Sequence, residues 1–124
     1  MPKWSEYKSA AKARGSLAAE LYMVRTTPVV GPERMQEVLP AHLAYQLEQQ
    51  NAHKLAFAGP LSDASGDEMK GEGLIIYSAT SLEEARQIAD NDPMHKEGCR
   101  TYEIRRWMIN EGHWPNLLHP LAEN

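Results

Sequence analysis

A single cysteine, Cys99, leaves this 124-residue sequence no partner for an intramolecular disulfide. It also argues against a structural zinc site built on thiolates. No apolar run approaches the roughly 18 residues that a membrane-spanning helix needs. Basic residues are not in surplus: 13 Lys and Arg stand against 17 Asp and Glu, a net charge of −4. A general nucleic-acid binder would carry a basic excess. The first fifteen residues are rich in Lys, Ala and Ser but have no apolar core. They do not read as a secretory signal, and the cytoplasm is the expected compartment. No nucleotide fingerprint is present, and Gly66 to Gly73 does not form a phosphate-cradling motif.

What remains is a chain of one-domain length with 42% hydrophobic residues, too short for two independent cores. Residues 1–19 read as an N-terminal appendage. Trp4, Tyr7 and Ala11 share one helical face and Gly15 limits its length. Either a partly ordered arm or a helix packed on the domain or a partner is expected. Glu20 to Thr27 alternates as a strand, with Leu21 and Met23 on one side and Tyr22 and Val24 on the other. Thr27-Pro28 should end it. Glu33 to Asn51 has a helical pattern interrupted by Pro40. It predicts a turn near Glu33–Val38 and then a helix opening with Pro40 at its first position, on which Leu43 and Leu47 form the apolar stripe.

Lys54 to Ala58 is predicted as a second strand, stopped by Gly59-Pro60. The glycine-rich stretch Leu61 to Gly73 is a hairpin or a lid over a site. Gly73 to Ser78 is a strand, and Ser81-Leu82-Glu83-Glu84 is a capping box opening a helix. That helix places Leu82, Ala85, Ile88 and Ala89 on one face and closes at Asp92-Pro93. Thr101 to Met108 alternates as a fourth strand. Residues 20–108 thus form the domain, and residues 109–124 a tail, apolar and proline-broken, expected to pack on the domain or on a dimer partner. The order β-α-β-β-α-β specifies a ferredoxin-like α+β fold: a four-stranded antiparallel sheet with two helices on one face. The other face needs a cover, and a second copy is the simplest, so a homodimer is expected.

Two ionisable residues fall where apolar ones belong. Continuing the spacing 82, 85, 88, 89 lands on Asp92, toward the apolar side and at the negative end of the helix. Both conditions disfavour the charged carboxylate, which is how such a group becomes useful as an acid or base near neutrality. The plainer reading is a cap on a turn once Pro93 has ended the helix. His42 lies at the edge of its stripe in the first helical turn, where the dipole favours the neutral imidazole. A lone histidine there is otherwise a hydrogen-bonded structural residue. Paired, the carboxylate would orient the imidazole and stabilise its protonated form. No Ser or Cys nucleophile motif accompanies them, so proton transfer is expected rather than acyl transfer.

Weaker candidates surround this pair. Arg25 could anchor an anionic substrate or be a plain surface arginine. Tyr22 and Tyr45 are amphipathic or simply core-edge residues. Gly59 and Pro60 would wall a pocket, and His95 could join the site, although Asp-x-x-His spacing alone is a poor metal signal. His113 and His119 sit in the tail, where solvation is expected.

Pro40-Ala41-His42-Leu43, Leu55-Ala56-Phe57-Ala58-Gly59-Pro60, Ser81-Leu82-Glu83-Glu84-Ala85, and Asp92-Pro93 with Gly98 together resemble the YCII-related domain family. The resemblance runs from about Glu20 to Trp107. It implies a dimeric α+β-barrel fold and a His–Asp site carried onto His42 and Asp92. One branch of the family is a dehydrochlorinase acting on a chlorinated hydroxyhydroquinone, and the fold is similar to that of muconolactone isomerases. The implied activity is a lyase or isomerase reaction without a cofactor or metal, on a small ring compound from aromatic degradation. The alternative is a non-catalytic small-molecule-binding dimer of the same fold. The segments before Glu20 and after Trp107 depart from the family's short form, as does Met94 where an aromatic is common.

Overall fold

A computed structural model describes residues 1–113. The tail from Trp114 onward, including His119, lies outside the described residues. Eight elements follow one another: α1 (Trp4–Ala13), β1 (Ala19–Pro28), α2 (Pro32–Asn51), β2 (Leu55–Ser62), β3 (Met69–Tyr77), α3 (Leu82–Asn91), α4 (Pro93–Lys96) and β4 (Arg100–Ile109). The strands form one sheet in the order β2-β3-β1-β4, and β3 runs antiparallel to both β1 and β2. Outside α1 and the short α4, this is the β-α-β-β-α-β order and the α+β class that the pattern specified. None of the helices among the described residues is long and apolar enough to cross a membrane.

The chain divides into two compact units. In the first, residues 1–20 with the described residues from Met108 on, α1 buries Ala11 together with Ala18 and Met108, flanked by Trp4 and Tyr7. The residues read as an appendage are therefore helical over Trp4–Ala13, and the shared face of Trp4, Tyr7 and Ala11 is the packed one. Trp4 Nε1 and Lys8 Nζ donate to Glu20 at 2.9 and 3.1 Å.

The second unit, Leu21–Trp107, carries the main core. Tyr22 and Val24 of β1 meet Ile75 and Tyr77 of β3 and Ala85, Ile88 and Ala89 of α3. Register explains the selection: Tyr22 pairs with Tyr77 and Val24 with Ile75, so alternate residues of both strands face the helices. Ser81 caps α3 as expected, its Oγ accepting from Glu84 N–H at 3.0 Å, while Glu84 Oε1 accepts from Thr80 N–H at 3.1 Å.

Three local expectations change. First, α2 is one helix from Pro32 to Asn51 and does not restart at Pro40. Proline removes the amide that would bond to the Gln36 carbonyl. Both residues are exposed, so that carbonyl lies on the solvent side and the helix continues past it. Second, the phase of α2 is set upstream of Pro40. Its inward arc holds Met35, Val38, Leu39, His42, Tyr45 and Gln49, whereas Leu43 and Leu47 are more than half exposed. Third, β2 runs straight through Gly59-Pro60, with Pro60 opposite Gly73. Because β2 is an edge strand, Pro60 can sit in it without a ladder amide, and register shifts flank the segment. Much of the expected loop is strand, since Leu61 and Ser62 belong to β2 and residues 69–73 to β3, and the link between them is a hairpin over residues 63–68.

Removing the α3 cap tests how far α3 depends on local signals. Ser81→Ala should lower unfolding stability by about 1 kcal/mol, read as a shifted denaturant midpoint with an unchanged slope. A shift of the slope would instead mean that α3 unfolds apart from the sheet.

Candidate active site

Asp92 is fully buried. It sits at the joint between α3 and α4, ending the first and capping the second. Its Oδ1 accepts from Met94 N–H at 2.9 Å. On the spacing 82, 85, 88, 89 it would fall at the centre of the α3 stripe. The residue is instead just past that helix, held in extended backbone by the following proline. Both sequence readings therefore meet at one residue, which caps a turn and is also a buried carboxylate. It faces donors and not apolar side chains, as a buried charge requires.

The second donor is His42. Its Nδ1 lies 2.7 Å from Asp92 Oδ1 and 3.0 Å from Oδ2. His42 is the eleventh residue of α2, at the centre of the inward arc, so the helix-terminus dipole expected to act on it does not reach it. A carboxylate accepts only, so Nδ1 carries the hydrogen and the neutral ring keeps its free lone pair on Nε2. Nε2 has no hydrogen-bond partner among the described residues. It is not sealed from solvent either, the His42 side chain being 16% exposed.

Both residues line a cavity of ≈ 360 Å³, within the usual range for small-molecule sites. Its floor is the helix-facing side of the sheet: Thr26 from β1, Ala58 to Pro60 from β2, and Gly73 and Ile75 from β3. Met35 and Leu39 of α2 and Met94 of α4 make it apolar on the helix side. Of the weaker sequence candidates, Gly59, Pro60 and His95 line this cavity; Tyr22, Arg25, Tyr45 and His113 do not. Tyr22 is buried in the core, because β1 alternation puts it with Val24 under α3. Arg25 is not among the lining residues, and its Nη2 donates to Glu72 Oε1 at 2.8 Å. His113 is exposed.

His95 is tightly specified. Its Nδ1 donates to the Ala89 carbonyl at 2.7 Å, so Nε2 accepts from the Thr26 hydroxyl at 2.9 Å. Thr26 Oγ1 in turn accepts from Arg100 Nε–H at 2.9 Å. Burial pushes the His95 imidazole below its ordinary value, outweighing the bond to Ala89 and the Asp92 charge. Tyr45 cannot serve as an acid near neutrality. Burial, then the Asp92 charge, push its phenol up to about 12, and its hydroxyl donates to the Ile88 carbonyl at 2.7 Å.

Thr26 and Arg100 were absent from the candidates read in the sequence. A signal existed for both. Thr26 continues the Tyr22–Val24 parity, and Arg100 shares parity with Tyr102 and Ile104, the helix-facing residues of β4. Among the described residues, no three His, Cys, Asp or Glu side chains converge as a metal site.

Comparison with known proteins bears on this geometry. The model of the YCII-related domain matches residues 3–108, a wider span than the motifs cover. A curated relative, the uncharacterized protein YjpA of Bacillus subtilis (strain 168), is 32% identical over 76 residues, 61% of this chain and 82% of the relative. Among solved structures, the chain is similar to 5-chloro-2-hydroxyhydroquinone dehydrochlorinase (TftG) from Burkholderia phenoliruptrix AC1100, in complex with 2,5-dihydroxybenzoquinone. The TM-score is 0.57 at 26% identity, covering 70% of this chain and 92% of that one. The architecture is consistent with the dimeric α+β-barrel fold.

The neutral state of His95 has a consequence for stability. An unfolded chain protonates this residue near pH 6.5, whereas the folded protein resists the proton. Unfolding therefore takes up a proton below that pH. The stabilisation from the neutral ring is complete above about pH 6.5 and is lost as pH falls through the lower folded value. Melting temperatures between pH 7.5 and 5 should fall more steeply for the wild type than for His95→Gln. Parallel curves would mean that the ring is protonated without cost.

Proposed function

The chain belongs to the YCII-related domain family, and on that premise we propose that it is a small lyase or isomerase acting by proton transfer on an oxygenated ring compound. The observation that carries this reading is the 2.7 Å bond from His42 Nδ1 to buried Asp92, with His42 Nε2 left open beside an apolar cavity. Asp92 fixes the ring's tautomer and orientation. Nε2 is the base, and the carboxylate stabilises the imidazolium that forms when it takes a proton. In an elimination, the proton goes to Nε2, the electron pair shifts through the ring, and the leaving group departs with its own pair. In an isomerisation, the same nitrogen returns the proton at another carbon. Neither route changes the oxidation level of the reactants taken together. The cavity volume and its sheet floor suit a six-membered ring such as the one bound by the similar dehydrochlorinase.

The reading includes a homodimer. The sheet face that carries Met23 is turned away from the helices, and Trp107 of β4 is 46% exposed. A second copy set on that face is the cover that the barrel form of this fold calls for.

Two probes test the chemistry: chloride release from 5-chloro-2-hydroxyhydroquinone, and deuterium uptake at the ring carbons of 2,5-dihydroxybenzoquinone in D₂O. His42→Ala should slow whichever reaction is catalysed by roughly 10²–10⁴-fold, and Asp92→Asn by at least about tenfold. Full activity in His42→Ala would overturn the assignment. Binding of both compounds with neither reaction would make this a small-molecule-binding protein instead.

A further inference from the structure

The wall of the same cavity contains a cation that forms no salt bridge among the described residues: the two acidic residues that share the lining, Asp92 and Glu72, are bound by His42 and Arg25. Arg100, the first residue of β4, is half-buried, and no acidic group lies within ion-pairing distance of it among the described residues. Its fork is nevertheless held firmly. Nε donates to Thr26 Oγ1 at 2.9 Å, and Nη2 donates to the Thr26 carbonyl at 3.0 Å and to the Gly71 carbonyl. A guanidinium has five N–H donors and stays charged in proteins. Three of those donors go to uncharged acceptors here. The two on Nη1 have no protein acceptor among the described residues.

The partners that hold the fork are themselves fixed. Gly71 has φ +88°, a conformation that L side chains rarely adopt, and a Cβ there would lie 2.7 Å from Pro28 Cγ. Glycine at 71 thus brings the carbonyl to Arg100 along a path closed to other residues. Thr26 is 5% exposed and passes its own hydroxyl hydrogen to His95 Nε2. His95 therefore offers the cavity no N–H of its own. Arg25, the cation that the sequence put forward for an anion, lies outside the lining and is paired with Glu72. Burial of Arg100 strips water from its charge, and only the more distant Asp92 field offsets this.

We propose that Arg100 is the anion-recognising residue of the cavity: its free Nη1 edge takes the ionised oxygen of an acidic ring substrate, an enolate or phenolate, while His42 handles the proton. This rests on the reading of the cavity as a ring-compound site and adds a charge requirement to it. The substrate class narrows to rings that carry a negative oxygen at neutral pH. That oxygen is oriented by a preset, partly desolvated guanidinium, where charge-assisted bonds are strongest.

Two probes of similar size and different charge test this, with binding read by calorimetry and ring-proton NMR shifts. One is 2,5-dihydroxybenzoquinone, whose hydroxyls are vinylogous acids and ionised at neutral pH; the other is uncharged hydroquinone. Arg100→Gln should weaken the anion by roughly 10–100-fold and leave hydroquinone within about threefold. Arg100→Lys, which keeps the charge and loses the fork, should weaken the anion by a smaller factor and also spare hydroquinone. Equal losses for both probes in the two variants would make Arg100 a structural residue and overturn the assignment, as would unchanged affinity for the anion. If Arg100→Gln does not fold, Arg100→Lys decides by the same comparison. A wild-type protein that binds hydroquinone but not the anion defeats this inference alone. One that binds neither probe defeats the ring-compound reading as well.

Discussion

A buried carboxylate has to be met by donors, and in this fold that requirement ties the helices together. Asp92 has no exposure, so its charge is tolerable only because Met94 N–H and His42 Nδ1 meet it. One donor is local, the amide two residues on. The other comes from α2, fifty positions away in sequence. The bond therefore fixes the rotation of α2 about its axis as well as the orientation of one imidazole. Tyr45, three residues further along the same arc, repeats the link one turn on by donating to the Ile88 carbonyl. With α2 clamped at two points to α3 and the α3–α4 joint, the cavity between helices and sheet has one fixed wall, and His42 is part of it.

The facing wall follows a different logic. There the ionisable groups are satisfied by neutral partners. Arg100 donates to Thr26 and to the Gly71 carbonyl, Thr26 donates to His95, and His95 donates to the Ala89 carbonyl. The chain of donors runs in one direction, which fixes the His95 tautomer and leaves its imidazole neutral. One side of the cavity thus has a histidine with a free lone pair backed by a carboxylate. The other has a cation with free donors and a histidine with none. The two histidines share a residue type and lie in the same pocket, yet their partners give them different chemistry.

Much of the fold could be read in the sequence because it depends on local pattern. Tyr22/Val24 against Leu21/Met23, the capping box at Ser81, and Tyr102/Ile104 all specify elements through periods of two or 3.6 residues, and each appears where its pattern puts it. Breaker residues do not break their elements where tertiary position decides. Pro40 is tolerated in α2 because the carbonyl it orphans faces solvent. Gly59-Pro60 is tolerated in β2 because that strand is an edge, and edge position is invisible until the sheet order is known. The pairing of His42 with Asp92 was legible as two polar residues on apolar stripes, although the reasons differed in detail. His42 is mid-helix and Asp92 lies past its helix. The Arg100–Thr26–His95 chain was not legible, since its members are 74, 69 and 5 positions apart and meet only through the β1–β4 pairing and the α4 turn.

The most direct measurement of the central claim is the ¹⁵N spectrum of the His42 ring at a pH where the imidazole is uncharged. Hydrogen on Nδ1 and a bare Nε2 is the expected result, with Nε2 the nitrogen whose shift moves when 2,5-dihydroxybenzoquinone is added. A proton on Nε2, or a ligand that binds without disturbing that nitrogen, would contradict the assignment of His42 as a carboxylate-oriented base facing the cavity.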